Sequence, residues 1–138
     1  MRRKSILITL VVVVCFTCSG CFLQAAIQDG DIIKYTMFIG LNDKDTYTQL
    51  ISYEEAEKKV SNIALKYVDG FTVLSAKGAY KDGKGIITNE NSLVFQFLYV
   101  TGEQMKSIMD EVLKELNQNS ILLEKQKVNC EFYEGVKP

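Results

Sequence analysis

Histidine is absent from the 138-residue chain, and this limits the chemistry that its side chains can perform. Without an imidazole, a Ser-His-Asp triad, a Cys-His pair and the common histidine-based metal sites are all excluded. Of the four cysteines, only Cys130 lies outside the first 21 residues. One thiol cannot hold zinc or an iron–sulfur cluster by itself, and a place in the middle of a predicted strand favours a buried apolar role. We therefore expect no metal and no cofactor.

Carboxylates are the remaining candidates for acid–base or metal chemistry, and each group has a simpler interpretation. The glutamates at positions 54, 55 and 57 begin a predicted helix, where negative charge is stabilised by the helix dipole. Asp43 and Asp45 have the spacing that begins a calcium loop, but Thr48 occupies the sixth position, where such a loop has glycine. Turn formation accounts better for these two aspartates, and the chain is more readily understood as a non-enzyme.

The residue pattern that best suits a binding site is a glycine followed two positions later by a tyrosine. Gly78 lies within a predicted strand, and Tyr80 follows it beside a hairpin signal. Glycine inside a strand marks either a close backbone approach or a bulge. One hypothesis is that Gly78 and Tyr80 form the rim of a cleft together with Gly40 and Ser120. The alternative is a bent strand that needs a small residue at position 78, and bulges are the commoner of the two.

The first 21 residues carry the most distinctive pattern in the chain. Arg2, Arg3 and Lys4 precede an apolar run over 6–16, which is shorter than the roughly 20 residues of a spanning helix. This order is typical of a secretory signal. The residues that end it, Ser19-Gly20-Cys21, resemble the bacterial lipobox, although Cys18 stands where an aliphatic residue is usual. The alternative is an uncleaved signal anchor.

The lipobox resemblance implies cleavage between Gly20 and Cys21 and attachment of a diacylglyceryl group to the Cys21 thiol. We then expect a signal peptide at 1–20, a lipidated tether at 21–31 and one domain at 32–134. Two or three acyl chains, such as palmitate, would hold Cys21 durably in the membrane. The predicted location is the extracytoplasmic side of a bacterial membrane. Only Cys130 would remain free, so no disulfide is expected within the mature chain.

The charge distribution argues against nucleic acid as a partner. Of 16 basic and 17 acidic residues, three basic ones lie at positions 2–4, which leaves 13 basic against 17 acidic residues in the rest. A mildly acidic domain lacks the dense basic surface of a nucleic-acid-binding protein.

Hydrophobic periodicity and turn signals predict the elements that must position these residues. Ser52 and Thr101 begin capping-box patterns, which mark the starts of two helices. The predicted order is a strand at 33–41, a helix at 52–68, a strand at 71–80, a hairpin at 81–84 returning through 85–88, a turn at 89–91, a strand at 92–100, a helix at 102–117, and a last strand in two pieces at 121–123 and 128–133.

This order predicts an α+β, ferredoxin-like βαββαβ two-layer sandwich with a β2–β3 hairpin extension. We expect one four-stranded antiparallel sheet, ordered 4-1-3-2, with both helices on one face. In the third strand the odd-numbered and the even-numbered residues, which point to opposite faces of the sheet, are both mainly apolar. This favours a central position. Because Phe38 also lies on the face opposite the helices, we expect that open face to be covered, most simply by a second copy in a homodimer.

Several short blocks in this framework resemble the uncharacterised bacterial family DUF3574, whose members are often secreted or lipid-anchored. The blocks are Phe38-Ile39-Gly40-Leu41, the helix that begins at Ser52, Asp69-Gly70-Phe71-Thr72-Val73, Gly78-Ala79-Tyr80 and Gln118-Asn119-Ser120-Ile121-Leu122. The resemblance spans about 33–133, with Tyr80 where tryptophan is common and Val68 where proline often occurs. It implies a compact sandwich without an assigned activity. A weaker similarity, to the nitrogen-regulatory PII group, lies in the element order and the glycine-containing second strand, and implies only the fold.

Three functions are compatible with these observations. The first is a small binding or protein-interaction module at the cell surface, with an unknown ligand. The second is an enzyme of the dimeric α+β barrel type, with a cavity between subunits. The third is a structural component of the envelope. A buried polar pocket would favour the enzyme, and its absence would favour the binding module.

Overall fold

The structure is a computed structural model that describes residues 31–81 and 85–136. The predicted signal peptide, Gly20, Cys21 and most of the predicted tether lie outside these residues, as does the predicted turn at 82–84. No helix in the described ranges combines the length and apolar character needed to cross a membrane.

Six elements follow one another in the βαββαβ order that the sequence predicts. They are β1 (Asp31–Gly40), α1 (Tyr53–Ala64), β2 (Thr72–Lys81), β3 (Ile87–Phe97), α2 (Gly102–Glu115) and β4 (Leu122–Asn129). The strands form one antiparallel sheet in the order β2-β3-β1-β4, which confirms the predicted arrangement.

The two helices begin where the capping residues are. The Ser52 hydroxyl accepts a hydrogen bond from the Glu55 amide, and the Thr101 hydroxyl accepts one from the Gln104 amide. At Thr101 the capping box is complete, because the Gln104 side chain in turn accepts from the Thr101 amide. Such caps pair amide groups that the first helical turn would otherwise leave without partners.

Both helices pack on the same face of the sheet and share one core with it. The sheet contributes fully buried side chains at alternate positions, including Met37, Ile39, Phe95 and Phe97. The helices contribute residues at helical spacing: Ala56, Val60 and Ile63 from α1, and Met105, Ile108 and Val112 from α2. Burial of this apolar surface is the main favourable contribution to folding.

The opposite face of the sheet is open and carries apolar side chains in a single transverse row. The strand registers align Leu74, Val94, Phe38 and Leu122 across all four strands. Val94 is buried by its neighbours and Phe38 is half-buried, whereas Leu74 and Leu122 at the two edges are exposed. Polar residues fill the next row on one side: Thr72, Gln96, Thr36 and Glu124.

The structure corrects two predicted elements. Residues 89–91 belong to β3, because β2 and β3 pair without interruption from Thr72 opposite Gln96 to Lys81 opposite Ile87. β4 is one continuous strand that ends at Asn129, since it pairs with β1 over residues 122–129. The polar residues in its middle face solvent at a sheet edge, so the strand needs no apolar alternation there.

Two predictions for single residues are also wrong. Cys130 follows the end of β4 and is half-buried, so it is not a buried residue in the middle of a strand. Gly78 pairs regularly with Glu90, so no bulge requires the glycine.

Candidate functional site

A depression of about 310 Å³ lies where β1 ends, beside the open face of the sheet. Its walls come from the end of β1, the loops that follow β1 and α2, and the β2–β3 hairpin. The lining residues are Phe38, Gly40, Asn42, Asp43, Lys44, Tyr47, Tyr80, Glu90, Gln118, Asn119, Ser120 and Leu122. The volume is at the lower end of the range for small-molecule sites in proteins.

The carboxylate of Glu90 lies directly over the backbone of Gly40. A Cβ atom placed on Gly40 would be 2.4 Å from Oε1 and 2.5 Å from both Cδ and Oε2 of Glu90. Oε1 accepts a hydrogen bond of 2.9 Å from the backbone amide of Asn42. A side chain at position 40 would therefore displace the Glu90 carboxylate from its place over the strand.

Two loops that meet at the ends of α2 and β1 form the polar wall of the depression. Asp43 Oδ1 accepts hydrogen bonds of 3.0 Å from the amides of both Asp45 and Thr46, which is a turn stabilised by an aspartate side chain. The Asn117 side-chain amide donates to Asp43 Oδ2 at 2.7 Å, and Gln118 donates to the Asn42 carbonyl at 2.8 Å. Asn117 is the largest of the influences that lower the pKa of Asp43.

Three of the four predicted rim residues, Gly40, Tyr80 and Ser120, line this one depression. Gly78 does not line it, although it lies opposite Glu90 in the sheet. A Cβ atom on Gly78 would have the Ser92 hydroxyl as its nearest neighbour at 3.9 Å, so packing leaves room for a side chain there.

Sequence reasoning missed Glu90, whose carboxylate lines the depression over the backbone of the sheet. Residues 89–91 have the composition of a turn, which hid their place in a strand. The available signal was the alternation of β3 itself. Extended back from Val94 through Ser92, it places Glu90 on the face that carries Phe38 and Gly40.

The ionisable carboxylate and ammonium groups in the walls of the depression are those of Asp43, Glu90 and Lys44, which carry two negative charges and one positive charge. The described residues form the ion pairs Lys59–Glu115 and Lys66–Glu111, and none of their cations pairs with Glu90. Phe38, Tyr47 and Tyr80 add aromatic rings to the walls, and ring faces attract positive charge. No group of three or more acidic or cysteine side chains in the described ranges is placed to hold a metal ion.

A larger cavity of about 680 Å³ lies at the opposite end of the sheet. It contains residues 69–72, which belong to the block quoted above from the DUF3574 resemblance, together with Tyr99, Gln104 and Phe132. The Tyr99 and Phe132 rings stack with their centroids 5.6 Å apart. The Gln104 side chain donates to the Tyr67 carbonyl at 2.6 Å, so this amide stabilises the cavity wall.

Tyr67 connects this wall to a small charged network on α2. Its hydroxyl donates to Glu111, which also forms an ion pair of 2.6 Å with Lys66. The hydrogen bonds from Lys66 and then from Tyr67 are the main causes of the lowered pKa of Glu111. The hydrogen bond between Tyr67 and Glu111 also raises the pKa of Tyr67. Lys66 is exposed and Tyr67 and Glu111 are half-buried, and their pairing stabilises the chain segment after α1.

Several solved structures are similar to this domain, and a phage enzyme with a TM-score above 0.5 supports the fold. A phage SAM lyase in complex with S-methyl-5'-thioadenosine matches with a TM-score of 0.54 and 18% identity, over 76% of this chain and 95% of the lyase. CutA from Synechococcus elongatus matches with a TM-score of 0.43 and 14% identity, over 73% and 78% of the two chains. GlnK from B. subtilis, as its ATP complex, matches with a TM-score of 0.41 and 15% identity, over 70% and 83%.

Among curated proteins, none is significantly similar to this sequence. The profile of one family does match, over residues 34–132, which is nearly the whole described domain. That family is described as a protein of unknown function, and the chain belongs to it: it is a member of DUF3574.

Proposed function

We propose that this protein is a lipid-anchored binding domain on the extracytoplasmic side of a bacterial membrane, and that its ligand carries a positively charged group. The observation that carries the ligand class is the Glu90 carboxylate, held over Gly40 by the Asn42 amide in a depression with three aromatic rings. A carboxylate together with aromatic faces is a common way to recognise an ammonium group.

A pair of ligands that differ only in charge tests the ligand class. Choline is the cationic probe, and 3,3-dimethyl-1-butanol is its neutral isostere. In an NMR titration, choline is expected to shift the amides of residues 38–47 and 118–122, and the neutral isostere is not. Equal shifts with both compounds would show that charge is not recognised.

The Glu90→Gln variant tests the residue itself, with Glu124→Gln as the matched control on the same sheet face. Loss of the charge at Glu90 should weaken choline binding about tenfold or more, which corresponds to roughly 1.4 kcal/mol. Glu124 lies two residues beyond Leu122 and does not line the depression, so its variant should bind as the wild type does. Unchanged affinity in Glu90→Gln would contradict the proposal.

The anchor is supported by the sequence pattern that ends in Ser19-Gly20-Cys21. Replacing Cys21 with serine should leave an unprocessed precursor without lipid. Mass spectrometry and detergent partitioning measure this directly. A variant with the mature mass and unchanged partitioning would contradict the anchor.

Pairing with a second copy is part of the same proposal. The row Leu74, Val94, Phe38 and Leu122 offers an apolar strip that a two-fold axis can pair with itself. Light scattering on the purified domain should give the mass of a dimer. A monomer at every accessible concentration would contradict the pairing.

A second candidate is a lyase activity on SAM, favoured by the similarity in fold to the phage enzyme. SAM carries a sulfonium cation, which the Glu90 depression would also suit. The protein is incubated with SAM, and chromatography measures the S-methyl-5'-thioadenosine that forms. Product that the wild type releases and Glu90→Gln does not would favour the enzyme. No product from the wild type would favour the binding domain.

A further inference from the structure

One end of the domain exposes a group of large apolar and aromatic side chains. Phe132 is 82% exposed, Tyr133 84% and Val136 93%, and Tyr99 beside them is 53% exposed. The Tyr99 and Phe132 rings stack on each other, and with the exposed Tyr133 and Val136 of the same segment they leave apolar surface in water, which soluble domains usually limit. We call these residues the aromatic end.

The aromatic end lies where the N-terminal segment enters the domain. Asp31, the first described residue, pairs with Asn129 at the end of β4, and the chain passes from Asn129 directly to Phe132. Cys21 is ten residues before Asp31. Ten residues reach at most roughly 33–36 Å, so a lipid on Cys21 would limit the distance of this end from the bilayer to that length.

The segment after β4 is held in place by contacts with Tyr99, which lies in the bend that follows β3. The Tyr99 hydroxyl donates to the Cys130 carbonyl at 3.3 Å, and the Tyr99 ring stacks on Phe132. Tyr99 has a φ of 58°, in the left-handed region that a tyrosine rarely adopts. Tyr47 and Asn117 have similar φ values, so this conformation is not particular to the aromatic end.

We propose that the aromatic end lies on the membrane surface, with Tyr99, Phe132 and Tyr133 in the interfacial region of the bilayer. This inference rests on the lipid anchor proposed above. Tyrosine rings are suited to the interface because they combine an apolar ring with a polar hydroxyl. The lipid would hold the protein at the membrane, and the aromatic end would fix its orientation, with the Glu90 depression at the far end of the sheet facing away from the bilayer.

The interaction is expected to depend on apolar contact more than on charge. Side chains of both positive and negative charge occur near the aromatic end: Lys127 precedes Asn129 and Cys130 in the sequence, and Glu131 follows them. A contact of this kind should persist at high ionic strength, where the attraction between exposed charges is screened over a few ångströms.

The absence of tryptophan from the chain allows a direct experiment. Phe132→Trp introduces one fluorophore at an exposed position of the aromatic end. Leu50→Trp is the matched control, because Leu50 is 63% exposed and lies near the start of α1, at the opposite end of the sheet. Both full-length lipidated proteins are reconstituted in phosphatidylcholine vesicles with and without bromine-labelled acyl chains, and mass spectrometry confirms the lipid.

The brominated lipid should quench the Phe132→Trp fluorescence at least twofold, with the same result in 1 M salt, and should leave Leu50→Trp nearly unchanged. Equal quenching of the two variants, or none in either, would overturn the orientation while the lipid anchor stands. A blue shift of Phe132→Trp without quenching would also overturn it, because it would indicate a protein partner. Absence of the lipid in the mass spectrum would instead contradict the anchor itself.

Discussion

At the scale of single residues, the contact between Gly40 and Glu90 makes the sharpest prediction. In Gly40→Ala the new methyl group would meet the Glu90 carboxylate at about 2.4 Å, so the carboxylate must move and lose its bond to Asn42. We expect the free energy of unfolding to fall by about 1 kcal/mol, the usual value of one hydrogen bond. Urea titration measures the change.

Gly78→Ala is the control for that substitution, since Gly78 lies opposite Glu90 on the neighbouring strand. A methyl group there has an ordinary distance to its nearest neighbour, the Ser92 hydroxyl. Alanine also costs less backbone entropy than glycine in a strand, so stability should be unchanged or rise by about 0.5–1 kcal/mol. Equal losses in Gly40→Ala and Gly78→Ala would contradict the close contact. The double variant Gly40→Ala, Glu90→Ala should lose less than the sum of the two single variants.

The lowered pKa of Glu111 predicts an acid-dependent part of the stability. Its carboxylate is stabilised in the folded protein by Lys66 and Tyr67, so its folded pKa lies below the usual value of 4.5. Stability from this group is therefore fully present above pH 4.5 and is lost as the pH falls through the lower folded pKa.

Glu111→Gln should remove that dependence. Between about pH 5 and pH 3, the wild type should lose stability more steeply than the variant, as measured by urea midpoints. Glu103→Gln removes a carboxylate from the same helix without these two partners, and it should retain the steep dependence. Parallel curves for the wild type and Glu111→Gln would contradict the network.

Sequence reasoning finds the glycine and tyrosine of the candidate site more readily than its carboxylate. Gly78 attracts attention because glycine has few reasons to occur inside a strand, Tyr80 because it follows beside a hairpin signal, and Gly40 and Ser120 as their partners in a cleft. Glu90 lies between two asparagines, and local composition cannot distinguish that segment from a turn. The position of Glu90 is set by the pairing of β3 with β2. Neither strand belongs to the loops that form the rest of the site, so the sequence of those loops does not indicate it.

At the scale of elements, the cap of α2 is expected to contribute measurably to stability. Thr101→Ala removes an acceptor from the Gln104 amide at the first turn, whose groups have no other helical partner. We expect a loss of about 0.5–2 kcal/mol in the free energy of unfolding. Thr101→Ser keeps the hydroxyl and should stay near the wild type, and a serine variant as unstable as the alanine variant would contradict the capping role.

The segments with a clear hydrophobic period were predictable, whereas the start of β3 and the continuity of β4 were not. Both helices and the central strands have stripes that the core imposes, as in Met105, Ile108 and Val112. β4 carries Glu124, Lys125, Gln126 and Lys127 in its middle, because an edge strand covered on one face can keep its backbone pairs to β1 without apolar side chains. Charged edge residues also discourage unwanted pairing with other chains.

At the scale of the whole molecule, the two ends of the sheet differ in character. The end where β1 begins carries the exposed rings of Tyr99 and Phe132, and the end where β1 finishes carries the Glu90 depression. The open face between them exposes apolar side chains at its two edges, Leu74 at 49% and Leu122 at 66%. The depression and the open face share Phe38 and Leu122, which line the depression and belong to the apolar row, whereas the exposed rings at the other end are separate from both.

The last prediction concerns that open face. Leu74 and Leu122 lie at opposite edges of the apolar row, so a two-fold partner would bury both, with each large apolar side chain contributing roughly 1.5–3 kcal/mol when fully buried. The double variant Leu74→Lys, Leu122→Lys would place two charges against their copies in the partner and should convert a dimer to a monomer in sedimentation velocity. Leu50→Lys, at an exposed leucine outside the sheet, should leave the dimer intact. Both edge leucines are exposed in the single chain, so the monomer of the double variant should be as thermally stable as the monomer of the wild type. A dimer that survives the double substitution would place the contact on another surface of the domain.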